Sequence, residues 1–170
     1  MENSIMNAIR ITLASLLAAS LFIQVAAQAP APAPTPAASA EPTPVGKWHT
    51  IDDNDGKPRG VVDIIEKNGV LEGRITGTLR AGESLDAICE VCPGDRKGRK
   101  MLGMLILSGL KKEGQGSAAV WTGGEILDPD NGKLYRVKLE LENGGRTLKV
   151  RGYIGFSLLG RTQRWQRAPN

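Results

Sequence analysis

The chain is expected to fold as an all-β protein, a small antiparallel up-and-down β-barrel. Three observations point there. Residues 134–142 and 147–154 alternate apolar and polar side chains, as strands with one buried face do. Asn68-Gly69 and Asn143-Gly144-Gly145 separate such runs, and Asn-Gly tolerates the positive φ that a tight hairpin turn demands. No stretch after residue 44 has convincing amphipathic-helix spacing. Sequential hairpins favour an up-and-down barrel over a Greek-key sandwich, and closure removes exposed sheet edges.

Taken in order, residues 1–27 read as a signal peptide. Arg10 precedes an apolar run, residues 11–23, rich in Ala and Ser and shorter than the roughly 20 apolar residues of a membrane span. Cleavage is expected after Ala27, because cleavage after Ala29 would place Pro30 beside the scissile bond. An uncleaved anchor is the alternative. Glu2 is out of place in a segment that should be basic, and initiation at Met6 instead of Met1 would remove it. The mature chain is then periplasmic or secreted, with no transmembrane span. Residues 28–44 alternate Ala with Pro, cannot bury a core, and read as an extended linker.

Residues 45–168 are expected to form the barrel, about 125 residues, enough for one core. Strands are expected at 46–51, at 60–67, and at 70–79 beyond the Asn68-Gly69 turn. The apolar run 101–110 suits a strand or a short buried helix, and its pattern cannot decide between them. Strands follow at 117–127, 134–142, 147–154 and 161–167. In the sixth, Tyr135, Val137, Leu139 and Leu141 share a face; in the seventh, Leu148, Val150, Gly152 and Ile154 are expected inside. Glycines within strands fit the sharp bends of barrel closure.

The formal charge is +4, and loss of Glu2 and Arg10 with the leader leaves it unchanged. Basic stretches at 96–100 and 161–167 read as solvated faces. In an exported protein of this modest charge, nucleic acid is not an expected partner.

The segments MLGMLILSGL (101–110), GGEILDPDNGK (123–133) and VRGYIG (150–155), the last running on to LGRTQRW (159–165), follow Gly46-Lys47-Trp48 in a fixed order. In this the chain resembles the bacterial family called domain of unknown function 2147, across nearly all of residues 45–168. The resemblance implies a small exported protein with a lipocalin- or streptavidin-like barrel, and it supplies no reaction. It also implies a closing device. In such barrels a Gly-X-Trp of the first strand packs at the closed end under an arginine of the last strand. Gly46 and Trp48 match the first half, and Arg161, Arg164 or Arg167 could supply the second. The contact is of cation–π type, worth about 0.5–2 kcal/mol.

Cys89 and Cys92 are the only cysteines. In an oxidising compartment a nearby pair is expected to form a disulfide, its Cα atoms within about 7 Å. Pro93 and Gly94 turn the chain after them, while Asp86, Glu90 and Asp95 disfavour a thiolate. A redox pair and a metal site are the alternatives; the second lacks ligands, since His49 is the only histidine. His49 has no nucleophile motif around it. Asp128-Pro129-Asp130-Asn131-Gly132 and Asp52-Asp53-Asn54-Asp55-Gly56 lack the ligand spacing of calcium loops and read as turns.

Three functions stay open. The first is an envelope protein binding a small apolar or amphipathic ligand, which requires an interior near or above ~300 Å³. The second is a structural or interaction module of the envelope without a small-molecule ligand. The third is a thiol-redox protein using Cys89 and Cys92. No catalytic constellation is legible and no cofactor or metal is expected. Gly155-Phe156-Ser157-Leu158-Leu159-Gly160 is expected to fold back as a plug, with a partner surface as the alternative; exposure of Phe156 and Leu158 decides.

Overall fold

Eight antiparallel strands follow one another around a closed barrel, each paired with its sequence neighbours and the first paired with the last. They are β1 (Gly46–Ile51), β2 (Pro58–Lys67), β3 (Val70–Thr78), β4 (Leu105–Glu113), β5 (Val120–Asp128), β6 (Lys133–Glu142), β7 (Thr147–Tyr153) and β8 (Gly160–Arg167). The computed structural model describes residues 41–84, 86–156, 158 and 160–169; the expected signal peptide and residues 28–40 of the linker lie outside the described residues. The run 101–110 resolves into a turn followed by strand β4 from Leu105, not a helix. Gly103, at φ +79°, breaks the run there, so the apolar stretch enters the sheet only after it.

Up-and-down order fixes which loops share an end. The β2–β3, β4–β5 and β6–β7 turns lie with the chain start at one end. The β1–β2, β3–β4, β5–β6 and β7–β8 connections lie at the other. Asn68 and Gly69 both take positive φ, as the sequence requires of a two-residue hairpin. Closure comes from β1 against β8, with Trp48 opposite Arg167 and His49 opposite Gln166.

The first end is filled. Trp48, Ile64, Leu71, Leu110, Leu139 and Leu148 are fully buried there. Gly73 is needed in this layer because a Cβ would lie 3.0 Å from Leu107 Cβ and 3.3 Å from Val62 Cγ1. Arg167 lies 4.2 Å from the Trp48 ring centroid. Its three guanidinium nitrogens donate to backbone carbonyls of Gly145 (2.7 Å), Val45 (2.9 Å) and Thr43 (2.7 Å). Trp48 Nε1 donates to Pro44 O at 2.7 Å. Residues 43 and 44, read from the sequence as the end of the linker, therefore belong to the closed end, and Pro44 is fully buried. Their carbonyls are the acceptors that Trp48 and Arg167 require, a demand that composition does not reveal.

Candidate functional site

The opposite half of the barrel is open. The inward positions there are small: Thr50 on β1, Gly60 on β2, Thr78 at the end of β3 and Gly152 on β7. Where the lower layer has Trp, Leu and Ile, this layer has side chains that cannot meet across the barrel. The result is a cavity of about 680 Å³, within the roughly 300–1,000 Å³ of small-molecule sites. Its floor and walls are apolar, formed by Val62, Ile75, Ile106, Ile126, Val150 and Trp165.

Above this chamber the walls turn polar. Gln163 and Arg161, inward on β8, rise toward the mouth. Trp165 Nε1 donates to Gln163 Oε1 at 2.9 Å, and Gln163 Nε2 donates to Asp53 at 3.0 Å. Arg161 pairs with Asp53 and, at 3.9 Å, with Asp128. Across the mouth, Arg59 bonds Asp130 at 2.5 Å and Glu83 at 3.2 Å. Arg80 bridges Asp52 (3.0 Å) and Asp55 (2.9 Å). Ion pairs thus tie the β1–β2 turn to β8, to the β3–β4 connection and to the β5–β6 turn.

The two Asp-rich segments form the turns expected of them. Asn54 N donates to Asp52 Oδ1 at 2.7 Å, and Gly132 N to Asp128 O at 2.8 Å. The bond from the Asn54 backbone is the chief cause that holds the Asp52 carboxyl below its usual pKa. Burial opposes it, and Arg80 and Arg59 reinforce it. Arg59 is held above its usual value, first by its bond to Asp130 and then, against burial, by the charges of Asp130 and Glu83.

Cys89 and Cys92 form a disulfide with Cα atoms 5.5 Å apart. Both residues are buried. Cys89 exchanges backbone bonds with Arg99 and Gly98, and Ile88 pairs with Lys100. The clip packs against the β5–β6 turn: Cys89 Sγ lies 3.5 Å from Pro129 O, and a Cβ on Gly132 would run into the Val91 carbonyl. It braces the mouth from outside and does not line the cavity. A thiol-exchange role would need an attacking thiol to reach a sulfur, and this burial gives the redox alternative no support.

Of the arginines proposed for barrel closure, Arg167 lies over Trp48 with Gly46 beside it, where a Cβ would lie 3.1 Å from Arg167 Nη1. Arg161 shares its strand face but stands at the open end. Arg164 has the other parity and pairs outside with Glu142 at 2.9 Å. His49, opposite Val61 and Gln166, is remote from the cysteines in strand position. Among the described residues no group of three metal-ligating side chains forms.

The β7–β8 loop departs from expectation. Ile154 is 65% exposed, Phe156 82% and Leu158 88%. They do not plug the barrel, because the chain turns outward: Ile154 falls beyond the end of β7, and Gly155, at φ +71°, redirects it away from the cavity. Sequence reasoning also missed the mouth residues Asp52, Asp53, Arg59, Glu83, Asp128 and Asp130. The available signal was topological, since up-and-down order puts the β1–β2 and β5–β6 turns at one end.

Residues 46–167 match the model of a family described as an uncharacterized protein conserved in bacteria, domain of unknown function 2147. No curated protein matches the chain. Among solved structures it is similar to protein HP1028 from the human pathogen Helicobacter pylori, described as belonging to the lipocalin family. The identity is 22%, over 76% of this chain and 85% of that one, with a TM-score of 0.65; the likeness is one of fold. The chain belongs to the domain of unknown function 2147 family.

Proposed function

We propose that this protein is an exported binding protein that holds one small amphipathic molecule in its open half, apolar part down and polar part at the mouth. The cavity of about 680 Å³ carries the reading. A barrel of eight strands can be filled by its own side chains, and here only one half is. The aliphatic walls with Trp165 would take the apolar part; the ring of charge above would meet the head. The reading is one of carriage without turnover, because the mouth's charged groups are engaged with one another. Export rests on the N-terminal reading, and on it the domain works in the periplasm or outside the cell.

Titration of the protein with N-phenylnaphthylamine, a neutral apolar fluorophore, tests the cavity. Enhanced emission saturating at one site, with transfer from Trp165, is expected. Absence of saturable binding, together with native mass spectra of protein from its own periplasm that show no retained molecule, would end the reading. Mass measurement of the same material places its first residue, expected at Gln28.

A second reading, as an interaction module, draws on the exposed apolar residues of the mouth. Beside Phe156 and Leu158, the side chains of Leu79, Val91 and Leu102 are exposed on the β3–β4 connection, and apolar groups gathered at one end mark contact surfaces. Co-sedimentation with phosphatidylethanolamine vesicles, lost on replacing Phe156 and Leu158 with Ser, would support it; equal sedimentation of both proteins would remove it.

A further inference from the structure

The mouth and the chamber differ in more than polarity. Five carboxylates line the cavity: Asp52, Asp53, Glu83, Asp128 and Asp130. Two guanidiniums, Arg59 and Arg161, line it with them. The difference is a formal surplus of three negative charges, in a chain whose overall formal charge is +4. Arg80 and Asp55, just beyond, cancel each other. The bias is local to the cavity.

The arginines are also committed. Arg59 meets Asp130, Glu83 and, at 3.7 Å, Asp52. Arg161 meets Asp53 and Asp128. An anionic head entering the mouth could reach N–H donors of Arg59 and Arg161 only beside the carboxylates that these already bind. It would then stand as one more negative charge among five carboxylates. A cationic head finds the reverse: carboxylate oxygens with lone pairs to spare, in a cleft whose low-dielectric walls concentrate the field. Like-charge juxtaposition discriminates strongly between partners even where the matching charge adds little affinity.

We propose that the ligand is a cationic amphiphile, an organic ammonium on an aliphatic or aromatic body, and that the mouth selects against carboxylates and phosphates of the same body. The proposal rests on the reading of the cavity as a ligand site and gives that ligand its chemical class. The lower wall sets the body and the rim sets the head.

Three probes with one tail separate head from body: dodecylamine, dodecanol and dodecanoate, each used below its micellar concentration at neutral pH to displace N-phenylnaphthylamine. Dodecylamine is expected to displace at least about tenfold more tightly than dodecanoate, with dodecanol between them, and added salt should narrow the gap. The double variant D53N/D128N frees Arg161 and should bring dodecanoate level with dodecylamine, leaving dodecanol unchanged. R161Q should widen the gap instead. Opposite shifts in two variants, each with wild-type circular dichroism, would not come from general damage. Displacement by dodecanoate as tight as by dodecylamine, with dodecanol also binding, would overturn the charge selection and leave the cavity reading standing. Failure of all three to displace the fluorophore, or failure of the fluorophore to bind, would overturn both.

Discussion

Arg161, Gln163, Trp165 and Arg167 follow one another along the inner face of β8, and the strand changes task along that line. Arg167 closes the barrel, Trp165 forms wall, and Gln163 and Arg161 belong to the mouth. Among the described residues Arg167 bonds no carboxylate; its charge is offset by three carbonyls and the Trp48 ring, and burial lowers its pKa. Truncation would strand those carbonyls at the barrel floor. R167A is therefore expected to cost about 2–4 kcal/mol in urea unfolding, from hydrogen bonds to a charged group and the cation–π contact. R164A, on the outer face, should cost under about 1 kcal/mol. Asp52 contributes to the pH dependence, beside Asp86 and Glu140, whose carboxyls are also held below their usual pKa by Lys100 and by Lys138 and Lys149. The folded pKa of Asp52 lies below the ordinary value, so its contribution is complete at neutral pH. That contribution falls away as pH drops through the ordinary carboxylate range, near 4, toward the lower folded value. D52N should flatten the loss of melting temperature in that acid window and change the alkaline side little. An unchanged acid limb would show that Asp52 does not govern it.

At the scale of elements, the strands were legible wherever one face met the core and the other met water. β6 follows the alternation, β7 keeps it from Leu148 to Arg151, and β1 begins and ends where the composition places it. Legibility failed where the chain leaves the sheet. The expected strand 147–154 ends at Tyr153, and Ile154 points to solvent because Gly155 turns the chain there. The apolar character of Phe156 and Leu158 invited a plug, but nothing in a pattern of residue types states direction after a glycine. The β3–β4 connection shows the other case. Its disulfide was readable from spacing and turn residues. Its seat against Pro129 and Gly132 was not, because that contact joins turns from different hairpins. The sheet does not depend on this clip. C89S/C92S should lose about 2 kcal/mol, the closure entropy of so short a loop, while keeping the β-barrel circular dichroism. Hydrogen exchange should rise in residues 86–104 and in the β5–β6 turn. Exchange that rises equally in every strand would mean that the clip supports the whole barrel.

For the molecule as a whole, topology decides where chemistry can occur. A run of hairpins closed on itself sends alternate loops to opposite ends, so the end holding the chain start and Trp48 must be the floor, and the Asp-rich turns must ring the mouth. This much could be reasoned from the order of strands. The cavity could not, because an empty interior depends on how inward residues at equal height add up. The sum is small at the mouth because Gly60 and Gly152 fall in the upper layer together with Thr50 and Thr78. Gly152 is the position at which this account can be reversed. A Cβ there would meet Tyr135 Cβ at 3.5 Å and Ile126 Cγ2 at 3.7 Å, ordinary contact with no collision. Its φ is outside the left-handed region, and a β-branched residue suits a strand. G152V would direct two methyl groups into the chamber. It should leave the melting temperature equal or slightly higher, since burying each methyl contributes about 0.8 kcal/mol, and should weaken N-phenylnaphthylamine binding at least about fivefold by taking its space. Isothermal titration beside a melting curve separates the two effects. Full binding in a protein of unchanged stability would mean that the fluorophore sits outside the barrel, on the apolar rim rather than in the cavity.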